Sequence, residues 1–302
     1  MEITNKHDFP DFVVQWLKND SYTYHPGVMS ATTLMAPPRM YALKKQNKTK
    51  LKIDLADLIA MRYGTALHDS IEAVRLTDCV QEKRLYTEIN GQKVSGKFDI
   101  LRETGKLIDG KKEYELIDIK STSVWGWIFG GKDEEYITQL SIYRYLAIKN
   151  GYEVTDQAKI WMIFTDWSGK KARDDEKYPQ TRIKIKELEL WSIEKTEEYI
   201  SERIKLLIQA ENSKQEDMQP CSDHDLWAKP EKFALMKKTR KSAVKLFNTK
   251  QELLDHQEIN TEEDLPEGYY IDHRKGKVNR CDYCMCRTFC TQFKELQKEG
   301  RV

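Results

Sequence analysis

The chain has 302 residues, enough for one large domain or two small ones with a buried core. Its 50 Lys+Arg and 49 Asp+Glu nearly cancel, so net charge excludes no partner class, and any DNA contact must come from local patches. The opening MEITNKHDFPDF lacks the basic-then-apolar order of a signal peptide, and no apolar run approaches the ~20 residues of a membrane span. The expectation is a cytoplasmic protein (host-cell cytoplasm for a phage-encoded chain) that engages no membrane. Its six cysteines are then reduced thiols or metal ligands rather than a disulfide framework.

Residues 1–50 are turn-rich, with Pro10, Pro26, Gly27, Pro37 and Pro38, and predict short helices. Residues 53–76 carry Leu55, Leu58, Ile59, Leu67 and Ile71 at helical spacing. From Tyr86 to Ser121 short alternating runs are broken by Asn90-Gly91 and Asp109-Gly110, which are hairpin signals. A helix over 134–149 stops near Gly151, Lys159–Thr165 suits a buried strand, and Arg182–Leu190 alternates as a second one. A helix over 192–211 follows, and from Glu211 onward the composition turns polar and basic. This order predicts an α/β domain with a mixed central sheet flanked by helices. It reads as one domain over 1–302, with a core at about 53–210 and a C-terminal cap at about 211–302.

The stretch Glu115–Ser121 holds the most chemistry. Alternation on a strand puts Asp118 and Lys120 on one face and Ile117 and Ile119 on the other. A carboxylate holds a hard divalent cation, and a neighbouring ammonium orients attacking water or stabilises a pentacovalent phosphate. Val94–Ile100 reads as an adjacent strand, with Asp99 on the opposite face from Val94, Phe98 and Ile100 and available as a second carboxylate. His68 and Glu72 lie four apart on the preceding helix and share a face, making a mixed N/O donor set that accepts Mn²⁺ as well as Mg²⁺. Gln139 and Tyr143, again four apart, offer an amide and a phenol to a phosphate or base.

These segments resemble the PD-(D/E)xK nuclease superfamily in its RecB-type branch, whose pattern runs Gly-x-x-x-His, Gly-x-x-Asp, Asp/Glu-x-Lys and Gln-x-x-x-Tyr. All four occur in order, as Gly64 to His68, Gly96 to Asp99, Asp118-Ile119-Lys120 and Gln139 to Tyr143. The resemblance implies a restriction-endonuclease-like core in which His68, Asp99, Asp118 and the backbone carbonyl of Ile119 bind Mg²⁺ or Mn²⁺. It implies Lys120 as the catalytic lysine, Gln139 and Tyr143 as DNA contacts, and Glu72 close to the catalytic centre. Thr32–Arg39 resembles the Ser-x-x-Leu-x-x-Cys-Pro-Arg opening of iron–sulfur members, with Pro37 where they have cysteine.

Four cysteines fall within Cys281–Cys290, a density that points to a metal site in a reduced compartment. The spacing Cys281-x2-Cys284-x5-Cys290 is similar to the three C-terminal ligands of the 4Fe–4S cluster in iron–sulfur members, including phage-type and CRISPR-associated exonucleases. No cysteine precedes His68, so the fourth ligand is Cys221, whose surroundings resemble phage-type members, or alternatively Cys286. Cys79 and the unused one of that pair are then free thiols. Four thiolates hold Zn²⁺ as well, and either metal would staple the C-terminal segment.

Lys229–Lys250 reads as a basic amphipathic helix, either a phosphate-contacting surface or a solvated face. Trp125 and Trp127 either stack on unpaired bases or pack the loop after the catalytic strand. The combined expectation is a DNA exonuclease of phage or recombination DNA processing, acting with a recombination or single-strand-binding partner and open to oligomerisation. The alternatives are a structure-selective or nicking endonuclease, and a DNA-binding module with a vestigial metal site.

Overall fold

Two dipeptides fix where the sheet turns. Asn90 (φ 52°) with Gly91 (φ 73°), and Asp109 (φ 49°) with Gly110 (φ 78°), adopt the left-handed backbone of two-residue hairpin turns, as their residue types require. The computed structural model describes residues 1–19 and 25–302; of the expected helical stretch over 1–50, residues 20–24 therefore lie outside it. The chain divides into two compact units, Met1–Ala36 with Lys52–Ile208, and Pro37–Leu51 with Gln209–Val302.

The N-terminal elements are β1 (Glu2–Thr4), α1 (Asp11–Lys18), β2 (Val28–Ser30), α2 (Ala31–Leu34) and α3 (Pro38–Gln46), the last of which belongs to the second unit. The first unit continues with β3 (Lys52–Asp54), α4 (Leu55–Glu72), β4 (Cys79–Gln81), β5 (Arg84–Ile89), β6 (Gln92–Lys97), β7 (Ile100–Ile108) and β8 (Lys111–Thr122). It closes with α5 (Val124–Phe129), α6 (Asp133–Lys149), β9 (Glu153–Phe164), α7 (Gly169–Asp174), β10 (Ile183–Glu189) and α8 (Ile193–Asn212), whose last residues, from Gln209, belong to the second unit. Among the described residues no helix is long and apolar enough to cross a membrane.

The main sheet has the order β10-β9-β8-β7-β4, and only its β8–β9 pair is parallel. That pair requires a crossover, which α5 and α6 supply. A second sheet has the order β2-β6-β5. The architecture is thus mixed α/β with a mixed sheet and flanking helices, as expected. One element differs: the strand expected over Val94–Ile100 is two strands. β6 ends at Lys97 in one sheet, β7 begins at Ile100 in the other, and Phe98-Asp99 is the step between them. Alternation continues across the step, so the period alone does not reveal that the pairing partners change.

α4 starts at Asp54, whose carboxylate accepts from the Ala56 N–H and forms a capping box with Asp57. Leu67 and Ile71 of α4 cover Ile100, Ile117 and Ile119, each of which is almost fully buried. Burial of each isoleucine contributes roughly 1.5–3 kcal/mol and locks the face that β8 presents. Asp118 and Lys120 are thereby committed to the opposite face. α6 packs against β6 through a contact that only glycine allows. A Cβ on Gly96 would fall 2.7 Å from Leu146 Cδ1 and 2.8 Å from Tyr143 Cδ1.

The second unit contains α9 (Asp223–Leu226), β11 (Ala228–Lys229), β12 (Lys232–Lys237), β13 (Lys245–Phe247), α10 (Lys250–His256), β14 (Tyr269–Arg274), β15 (Lys277–Val278) and α11 (Thr291–Lys298). The basic helix expected over Lys229–Lys250 is not formed; that stretch supplies β12 and β13, with helix only from Lys250. β12 is the middle strand of β13-β12-β14. Its pairing with β14, from Lys232↔Arg274 to Lys237↔Tyr269, is long-range and outweighs local helical spacing. Leu235, Phe247 and Leu253 form the core beneath it.

Substituting Gly96 with alanine forces Tyr143 or Leu146 to move. The expected loss of unfolding free energy is about 1–3 kcal/mol, measured by urea denaturation. Wild-type stability in Gly96→Ala would remove the close approach of α6 and β6.

Candidate active site and cysteine pocket

Each motif side chain is delivered by a different element of the first unit. His68 projects from the last turns of α4, Asp99 from the step between β6 and β7, and Asp118 and Lys120 from β8. The antiparallel register pairs Ile100 with Ile117, which brings Asp99, just before β7, level with Asp118 on β8. Asp99 Oδ2 accepts from the Ile119 N–H at 2.7 Å, and Asp99 Oδ1 lies 3.6 Å from His68 Nδ1. Lys120 Nζ sits 2.7 Å from Asp118 Oδ2. That contact is close enough for an ion pair but lacks hydrogen-bond alignment, so Oδ2 is a buried acceptor without a hydrogen-bond partner.

A residue absent from the motif pattern completes the group. Glu82, in the turn between β4 and β5, places Oε1 3.4 Å from His68 Nδ1 and Oε2 2.5 Å from Lys97 Nζ. One ligand atom each from His68, Glu82 and Asp99 lies within 4.8 Å of the others. Glu82 adopts left-handed backbone (φ 49°), unusual for glutamate, and its N–H donates to the Asp99 carbonyl at 2.8 Å. The one sequence signal for it was an acidic residue just ahead of a predicted strand, which is too common to single out. Glu72 is exposed at the end of α4 and outside this convergence.

The electrostatics follow from burial. Only 2% of the Asp118 side chain and 25% of that of Lys120 are exposed. Burial opposes the charge on Lys120, but the carboxylates of Asp118 and Asp99 outweigh it and raise the Lys120 pKa. Burial and the Asp118 charge push Asp99 up to about 7, against the pull of His68, Lys120 and the Ile119 N–H. The hydrogen bond to Glu82 raises His68 against its own burial. Burial also opposes the charge on Glu82, yet hydrogen bonds from His68 and Lys97 hold its pKa below the ordinary range. Several carboxylates, one imidazole and an orphaned buried oxygen form a donor set that suits a hard divalent cation.

Gln139 and Tyr143 come together on α6, where Gln139 Nε2 donates to the Tyr143 hydroxyl at 2.9 Å. Tyr143 is buried, and burial together with the Asp118 charge pushes its pKa upward. The two tryptophans after β8 part company. Trp125 is exposed, stacked on Phe129 at 5.7 Å with Lys171 Nζ 4.9 Å above its ring. Trp127 meets the edge of buried Phe164 at 6.4 Å.

In the second unit, Cys221, Cys281, Cys284, Cys286 and Cys290 line one cavity, and Pro37 lines it with them. Pro37 therefore stands beside the cysteines. Arg39, two residues on, is buried and donates to the carbonyls of Gln215 and Met218 and to Thr291 Oγ1. Cys221 is held by reciprocal 2.9 Å bonds between its backbone and the Gln292 amide. Cys286 is fully buried, with its Sγ 3.8 Å from the Met40 carbonyl oxygen.

Burial, then the Asp225 charge, pushes the Cys221 thiol up to about 12, and burial pushes Cys281 up to about 11. Cys284 falls to about 6 because Cys286 donates a hydrogen bond to it, which raises Cys286 in turn. Among the described residues, no three cysteine sulfurs lie within 4.8 Å of one another. One tetrahedral Zn²⁺ with Zn–S bonds of about 2.3 Å needs sulfurs roughly 3.8 Å apart.

No protein-family model matches the chain, and no curated protein does. Among solved structures the chain is similar to SSO0001, with 18% identity and a TM-score of 0.43 over 64% of this chain and 84% of that one. It is also similar to a phage-related exonuclease from Haemophilus somnus 129PT, with 16% identity and a TM-score of 0.25 over 66% of this chain and 81% of that one. Both likenesses are too distant to bear on function.

Asp99 has a pH signature in the metal-free protein. A carboxyl whose folded pKa is raised to about 7 costs no stability below its unfolded value of about 3.9, and costs progressively more as pH climbs between the two. The stability of Asp99→Asn relative to wild type should therefore grow as pH rises from about 4 to about 7 in EDTA. A pH-independent difference in melting temperature would show that Asp99 is not held in this way.

Proposed function

We propose that the chain is a divalent-metal-dependent deoxyribonuclease of the PD-(D/E)xK, RecB-type kind, hydrolysing DNA phosphodiesters. The observation that carries this is that buried Asp99 lies against His68 and the Ile119 N–H while buried Asp118, next along the same strand from Ile119, lies against Lys120 with one oxygen lacking a hydrogen bond. His68, Asp99, Asp118 and the Ile119 carbonyl would hold Mg²⁺ or Mn²⁺, which supplies charge for the attacking water and the phosphate. Lys120 stays protonated beside Asp118, so its role is to stabilise charge building on the phosphate rather than to accept a proton. Gln139 and Tyr143 present their paired amide and hydroxyl to the DNA beside the scissile phosphate. We assign exonuclease action; a nicking or structure-selective endonuclease would use the same residues on circular DNA.

The cysteine pocket we assign to a 4Fe–4S cluster held by Cys221, Cys281, Cys284 and Cys290. Two features support it. These four cysteines line one cavity, and Cys286 is fully buried beside the Met40 carbonyl. The cluster would contribute stability by tying the C-terminal segment together.

Asp118→Ala and Lys120→Ala should each lower Mn²⁺-dependent cleavage of linear DNA by at least about 100-fold while far-ultraviolet circular dichroism is unchanged. Retained cutting in both would sink the site, and rapid cutting of covalently closed circles would favour the endonuclease. For the cysteines, iron and sulfide content of anaerobically prepared protein should collapse in Cys221→Ser and persist in Cys286→Ser. The reverse result would move the fourth ligand to Cys286, and zinc without iron would replace the cluster.

A further inference from the structure

Glu82 belongs to no motif, yet it occupies the most constrained position around His68. Its backbone is left-handed, its N–H is bonded to the Asp99 carbonyl, and its carboxylate is largely buried. The turn therefore aims one side chain at the site. The two carboxylate oxygens do different things. Oε2 is taken by Lys97 at 2.5 Å, which balances a negative charge next to two others. Oε1 faces His68 Nδ1 at 3.4 Å, and Asp99 Oδ1 faces the same nitrogen at 3.6 Å.

That shared nitrogen decides between two roles. A carboxylate that only orients a metal-bound histidine bonds the ring nitrogen that is not on the metal. Glu82 and Asp99 converge on one nitrogen, and one ligand atom each from His68, Glu82 and Asp99 lies within 4.8 Å of the others, a spread one cation can bridge once it replaces the proton shared at Nδ1. We propose that Glu82 is a direct ligand of the divalent cation, through Oε1, alongside His68 and Asp99. The site is then richer in carboxylate than the four-motif pattern implies, and Lys97 is the counter-charge that fixes the added ligand in place. An imidazole with this many carboxylates suits Mn²⁺ at least as well as Mg²⁺. The proposal rests on the divalent-cation assignment made above.

The test is calorimetric titration of the full chain with Mn²⁺ alone, comparing wild type, Glu82→Gln, His68→Ala and Asp99→Ala. Glutamine keeps the shape and can still accept a hydrogen bond from His68, but it offers a neutral and weaker donor. A ligand role predicts that Glu82→Gln binds Mn²⁺ at least about tenfold more weakly and, at saturating Mn²⁺, holds an added exchangeable water on the ion by water-proton relaxation; loss of a merely orienting partner also weakens binding by about 10–100-fold, so weaker binding without the added water overturns the ligand role. Should Glu82→Gln lower the metal-free melting temperature, the same titration is read from Glu82→Asp, which keeps the charge but withdraws the oxygens and should also weaken binding. Affinity within twofold of wild type in the folded Glu82 variant, with binding lost in His68→Ala and Asp99→Ala, overturns the Glu82 assignment and leaves the metal site standing. No Mn²⁺ binding by wild type overturns both.

Discussion

Asp99, at the step into β7, and Asp118, on the neighbouring β8, are buried carboxylates, and they cannot both be ionised there without positive charge beside them. Most of the first unit can be understood as the provision of that charge. β8 carries its own counter-ion, Lys120, two residues along the same face. α4 brings an imidazole to the Asp99 side, and the Ile119 N–H supplies a backbone donor to Asp99. The compensation is incomplete, which is why Asp99 titrates near neutrality and Asp118 keeps an oxygen without a hydrogen bond. A site with surplus negative charge and an orphaned acceptor is prepared for a cation, because binding relieves a cost that the fold already bears.

The cysteine pocket meets the same difficulty by another route. Four or five thiolates in one apolar cavity would repel one another more severely than two carboxylates. Burial instead keeps Cys221 and Cys281 protonated, and a hydrogen bond from Cys286 localises negative charge on Cys284. A metal taken up by these thiols would have to expel their protons, as one bound at Asp99 would have to expel a proton held to about pH 7.

Much of this was legible in the chain because it is local. Hairpins at Asn90-Gly91 and Asp109-Gly110 follow from backbone preference, and the faces of β8 and α4 follow from period. Other features were not legible because they depend on partners far away in sequence. Phe98-Asp99 reads as strand interior until the pairing partners of β6 and β7 are known to differ. Lys232–Lys237 reads as part of a helix until β14 is placed beside it. Glu72 shares a helix face with His68 and so attracts attention by spacing, while Glu82 reaches the same histidine through a turn that no periodicity predicts. The cysteine spacing points to a shared pocket, but the Met40 and Gln292 contacts that distinguish the surroundings of Cys286 and Cys221 come from far away in sequence.

The glycines of the two motifs explain why residues spread over some eighty positions behave as one pattern. Gly64 lies one turn before His68, and a Cβ there would sit 3.4 Å from Ser121 Oγ, immediately after Lys120. α4 thus rests on β8 next to Lys120, and the height of His68 above the sheet is set by that contact. Gly96 lies three residues before Asp99, and a Cβ there would collide with Tyr143. The seat of α6, and with it the Gln139–Tyr143 pair, is therefore fixed against the strand that leads into Asp99. Each motif couples a chemical group to the packing contact that positions it. Distance between histidine, carboxylates and amide is then governed by backbone approach rather than by side-chain flexibility, which is what a site needing sub-ångström placement requires.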